Sequence, residues 1–97
     1  MSTSLPVLPS AWAKLELLAT RLGEPAGDIL TQVQQSGSRY LDNANGGNIN
    51  VLLQQPGTYL FTRVTLDPTG QRIISAGTVQ FRSLVNGILS GRFTPIP

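Results

Sequence analysis

Neither histidine nor cysteine occurs among the 97 residues, which removes the side chains that most often serve as a neutral-pH base, a thiolate nucleophile or a transition-metal ligand. The serines have no partner of the type that would activate them. Of the five carboxylates, Glu16 and Asp67 are the pair that could share acid-base work. Asp67, however, opens the sequence Asp67-Pro68-Thr69-Gly70, where an aspartate caps the backbone amides of a turn. The glycine-containing stretches GEPAG (23–27, with its flanking residues) and NGGN (45–48) supply neither the lysine nor the strand-to-helix setting of a phosphate loop. No catalytic residue, no metal site and no cofactor is expected.

Binding chemistry is better represented. In TYLFTRV (58–64), Tyr59, Phe61 and Arg63 fall on one side of an extended chain, with Leu60, Thr62 and Val64 on the other. Arg72, Phe81 and Arg82 follow on neighbouring segments. Aromatic faces beside arginines can stack bases while neutralising phosphates, at ~1–3 kcal/mol per stacked base. The same residues also suit a protein interface. A third arrangement puts the rings beneath the chain's own helices and leaves Leu60, Val64 and Leu66 to meet a second copy. Both sides of this segment are apolar enough to need a cover, and one pair of helices covers one side. The surface Tyr59, Phe61, Arg63, Arg72, Phe81 and Arg82 is therefore expected to make contacts, with protein the first partner and nucleic acid the second reading.

The elements that would carry these residues can be read from periodicity. Residues 1–9, with Pro6 and Pro9, suit an extended arm. Ser10 can cap a first helix whose apolar residues Trp12, Leu15, Leu18, Ala19 and Leu22 recur at spacings of three and four, and Gly23 stops it. Trp12, the only tryptophan, lies on this stripe as core or as an interface anchor. Pro25 fits the opening of a second helix whose stripe runs through Ala26, Ile29, Leu30 and Val33 to Tyr40 and Leu41, with Gly37 either ending it early or tolerated inside it. After the Asn- and Gly-rich segment 42–50 the period changes to two, with turns at Gln55-Pro56-Gly57 and Asp67–Gly70, a bend permitted at Gly77, and a hairpin signal at Asn86-Gly87. The alternative for SLVNGILS (83–90) is a short helical turn. The spacing thus predicts one α+β domain: two N-terminal helices (10–41) laid across an antiparallel β-meander of four or five short strands (48–93), with 94–97 a frayed tail.

Residues 8–35 resemble the ribbon-helix-helix family of small dimeric DNA-binding regulators. Leu8-Pro9, Leu15, Leu18-Ala19, Gly23 and Asp28-Ile29-Leu30 stand where that family has its helix entry, first-helix core, chain turn and second-helix opening. The resemblance implies an intertwined dimer whose paired N-terminal strands enter the DNA major groove. In this sequence the arm Ser2–Val7 carries no Arg, Lys, Gln or Asn to read base edges. A helical hairpin without DNA contact is the alternative.

Composition sets the remaining bounds. Charged residues make up 12% of the chain, and seven basic groups against five acidic ones leave a net charge of +2, a weak electrostatic lead toward polyanions. A domain this short buries only about 60–65% of its extended surface, so self-association is expected to supplement its stability. The apolar runs are too short for a membrane span and the first residues lack a basic, then apolar, leader, so a cytoplasmic location is expected. The expected role is that of a non-enzymatic, self-associating binding module, either a small dimeric regulator or a protein-binding adaptor, inhibitor or structural subunit.

Overall fold

A computed structural model describes residues 5–97. Three helices and five strands run in the order α1 (Pro9–Leu22), α2 (Ala26–Ser36), β1 (Ser38–Asp42), β2 (Asn48–Gln54), β3 (Leu60–Leu66), β4 (Ile73–Gln80), α3 (Phe81–Ser90) and β5 (Phe93–Ile96). The strands form one antiparallel sheet, ordered β4-β3-β2-β1-β5. The fold is α+β. No described helix is long and apolar enough to cross a membrane.

On the first face of the sheet, α1 packs over β4 and α2 over β2 and β3. Strand alternation sends Val51, Val64, Leu66, Ile73 and Ala76 into this layer, where they meet Ala11, Leu15 and Leu18 of α1 and Ile29 and Val33 of α2. The helical pair therefore places both apolar stripes on its own sheet. Gly23 closes α1 in the left-handed conformation, as its position past the last apolar residue requires. The start of α1 differs from expectation: Leu8 is the N-cap residue, with no side-chain cap, and Pro9 takes the first turn where its missing N–H is no loss. Trp12 is 37% exposed, at the margin of the stripe rather than inside it.

The second helix ends at Ser36, and Tyr40 and Leu41 belong to β1 instead of continuing its stripe. These residues pair with Asn50 and Ile49 of β2, so tertiary pairing overrides the helical spacing. A second correction concerns the hairpin at Asn86-Gly87: residues 81–90 form a helix, the alternative for 83–90, over a longer span. Asn86 and Gly87 have none of the positive φ values that a tight hairpin turn needs, while Leu84 and Gly87 are buried at a spacing of three. The tail is also ordered otherwise than expected, because Phe93–Ile96 pairs along β1.

Helix α3 changes the architecture. All neighbouring strands are antiparallel, so β4 and β5, at opposite edges, run in the same direction. The β4–α3–β5 connection therefore carries α3 from one edge to the other, across the second sheet face. Phe61, Arg63, Thr65, Ser75, Gly77 and Val79 share that face through cross-strand register. Thr62, Val64 and Leu66 lie beneath α1 and α2, which reverses the reading that placed the rings under the helical pair and Val64 and Leu66 toward a second copy. The chain supplies a cover for both faces of β3, though α3 covers the second only in part.

The two sheet edges are unequal. On β5 the Arg92 carbonyl points inward to the Asn43 N–H, so alternation turns Phe93 and Pro95 outward, and Pro95 has no N–H to offer. On β4 the arm covers the start: the Leu8 N–H donates to the Ile73 carbonyl at 3.0 Å and the Ile73 N–H to the Pro6 carbonyl at 2.9 Å. Farther along, Phe81 donates to the Tyr59 carbonyl of the inner neighbour. The same alternation directs the N–H and C=O of Ala76 and Thr78 away from the sheet. This edge carries no charge and no proline between Ile74 and Gln80.

Candidate functional site

Four of the six residues singled out in the sequence meet at the end of the sheet where β3 begins and β4 passes into α3. Tyr59 and Phe81 approach with ring centroids 6.4 Å apart and tilted by 50°. Phe81 and Phe61 stack at 6.4 Å with planes 19° apart. Contacts of this kind contribute about 0.5–1.5 kcal/mol beyond area burial. Tyr59 nevertheless remains 80% exposed and Phe81 48% exposed. Leu60, Gln80 and the exposed Arg82 complete an open groove of about 480 Å³ with these two rings. Helix α3 starts here with Phe81 and packs against β4 and β5.

Arg63 lies on the same face but deeper, in a polar cleft of about 430 Å³ where α3 diverges from β4 and β3. Its Nη1 donates to Thr65 Oγ1 at 2.6 Å and to Ser75 Oγ at 3.4 Å. Thr65 Oγ1 donates in turn to Asn50 Oδ1 at 2.7 Å, and Asn50 Nδ2 reaches Asp42 Oδ2 at 3.5 Å. Thr65, Asn50 and Ser75 stand side by side on three adjacent strands, so register alone assembles this row.

Asp42, buried at the end of β1, gathers most of the donors. Arg92 reaches its two oxygens at 3.3 and 3.4 Å, Asn45 Nδ2 donates at 3.0 Å and the Ala44 N–H at 3.1 Å. Burial by itself would push its pKa up, but the hydrogen bonds from Asn45, Arg92 and the Ala44 amide outweigh that and hold it below the ordinary aspartate value. Arg63 is drawn below its ordinary value by burial, with the charge of Asp42 acting in the opposite sense. It remains a cation at any physiological pH.

No protein-family model, curated protein or solved structure matches this chain. The chemistry of the second face is therefore read from its own geometry.

Arg72 stands apart from the others. It sits at the opposite end of the β3–β4 hairpin, with Nε 3.3 Å from Asp67 Oδ2. Asp67 does organise its turn, accepting from Thr69 Oγ1 at 2.8 Å and from the Gln71 N–H at 3.0 Å, and these bonds, the Thr69 hydroxyl foremost, lower its pKa. Asp42, Asn50 and Arg92 were not among the residues expected at a site. The available signal was the placement of Asn50 as a polar residue inside the apolar strand NINVLLQ.

Proposed function

We propose that the protein is a non-enzymatic binding module that self-associates through the aromatic end of its second sheet face. The observation that carries this is Tyr59, four-fifths exposed although it stands against Phe81 and beside Arg82. Exposed aromatics in contact with one another, flanked by arginine, have the composition of an interface centre. The outward backbone groups of Ala76 and Thr78 adjoin it and favour a protein over a nucleic acid, because a strand can use them and a sugar-phosphate chain has no matching ladder. Pro95 blunts the other edge, so strand pairing between copies is confined to β4 with β4, an isologous contact that closes at a dimer.

The charges are distributed in keeping with this reading. Segment 9–36, with α1 and α2, holds two basic groups against three carboxylates, and the rest of the chain five arginines against two. An acidic partner would be drawn to the part of the chain outside 9–36. Replacing Tyr59 and Phe81 together by serine is expected to halve the particle mass in light scattering while the far-ultraviolet circular dichroism is retained. Loss of the circular dichroism would place the rings in the core, and an unchanged mass would place the contact elsewhere. A nucleic acid bound with steep salt dependence would replace this reading.

A further inference from the structure

Two ion pairs form among the described residues, Arg72 with Asp67 and Arg92 with Asp42. Arg63 belongs to neither. Its guanidinium sits half-buried in the α3–β4 cleft with two neutral hydroxyls on Nη1, while Nε and Nη2 donate to no protein acceptor among the described residues. Those two nitrogens present their N–H groups along one edge, the fork that grips a carboxylate or phosphate through two parallel bonds. Asp42, the nearest candidate counter-charge, is already engaged by Arg92, Asn45, Asn50 and the Ala44 amide. The cleft therefore keeps one cation without a contacting anion, beside the Arg92–Asp42 pair and among hydroxyl, amide and apolar side chains.

Gly77 is part of the same arrangement. It is the cross-strand partner of Arg63, and a Cβ built there would lie 2.6 Å from Nη2 and 3.5 Å from Cζ of that arginine. The bare backbone thus lets the guanidinium lie across β4, with Nη2 close over Gly77. Ser83, on α3, lines the opposite wall and offers one more donor.

We propose that this cleft is an oxyanion site, in which the Nε and Nη2 edge of Arg63 binds a carboxylate or phosphate group of a small ligand. The volume, about 430 Å³, suits a small molecule better than a polymer. The site is separate from the aromatic end and does not depend on self-association.

Isothermal titration of the 97-residue protein at constant ionic strength, with inorganic phosphate in one arm, succinate in the second and chloride as control, tests this directly. Saturable uptake of one or both oxyanions is expected, weakened at least tenfold in Arg63→Ala and unchanged in Lys14→Ala on the far layer. Uptake of phosphate alone or succinate alone assigns the ligand group, and neither binding overturns the proposal. Gly77→Ala provides a second variant that keeps every charge. The atom it displaces is the far end of a flexible side chain, so the fold is retained, and a weakened affinity is expected because Arg63 must move. Equal affinity in the unmodified protein and in both variants would also overturn the proposal.

Discussion

Valine at position 87 is expected to destabilise the protein by about 1–3 kcal/mol, the range of an overpacked core site. At this chain length that lowers the midpoint of thermal unfolding by roughly 4–8 °C for each kcal/mol. In an exposed helix a glycine replaced by a better helix former gains up to ~1 kcal/mol, so the sign of the change is diagnostic. Here the ring of Phe93 occupies the space where a Cβ of residue 87 would stand. The ring is fixed from its other side by Tyr40, 6.5 Å away, and by the Arg92 guanidinium, 5.1 Å from its centroid. It cannot swing away without disturbing β5. The variant should therefore lift α3 from the second face and loosen Phe93–Ile96 together, seen as faster amide exchange at Thr94 and at its β1 partner Leu41. A more stable Gly87→Val protein would mean that α3 does not rest on β5.

Removal of the Asp42 carboxylate is expected to cost about 2–3 kcal/mol in Asp42→Ala. Breaking a buried ion pair costs more, ~3–5 kcal/mol, but Arg92 is half exposed and can be rehydrated. The Ala44 amide and the Asn50 side chain lose an acceptor as well. Asp42→Asn keeps the shape and one acceptor oxygen, and should lose less. The pH dependence has a definite sign. Because the folded pKa of Asp42 lies below its unfolded value, the carboxylate stabilises the fold above the ordinary aspartate range, near pH 4, and that contribution disappears as pH falls through the folded value. Denaturant midpoints measured from pH 7 to pH 2 should decline more steeply in the unmodified protein than in Asp42→Asn. Asp67 declines with pH in both and cancels in the comparison. Parallel curves would remove Asp42 from the role given to it.

Much of this architecture is legible in the sequence, and what is not has physical causes. The α1–α2 pair could be read because its stripes are long, regular and punctuated by Gly23 and Pro25. The turns at 55–57 and 67–70 could be read because Pro and Gly have few other uses there. Strand β1 was hidden because Tyr40 and Leu41 continue the spacing of Val33, and only pairing with β2 moves them into the sheet. Helix α3 was legible only as the alternative at 83–90, because Asn86-Gly87 reads as a hairpin, whereas glycine there serves close approach to Phe93. From that one misreading followed the expectation that the second face had no cover of its own.

The candidate site divides in the same way. Tyr59, Phe61, Phe81 and Arg82 were found because aromatic and basic residues in short strands advertise themselves, and the structure does bring them together. Arg72 was grouped with them on residue type, yet hairpin geometry sends it to the far end. Asp42 and Asn50 are neighbours through β1–β2 pairing, and the crossing of α3 to the opposite edge adds Arg92 from the α3–β5 connection to the same cleft. No local pattern encodes that proximity.

Sedimentation equilibrium of the unmodified protein over a wide concentration range tests the self-association reading most directly. The expected result is an average mass that rises with concentration from the 10.4 kDa chain toward twice that value and stops there. A particle of single-chain mass at every concentration would contradict it, and the exposed rings of Tyr59 and Phe81 would then have no second copy to meet.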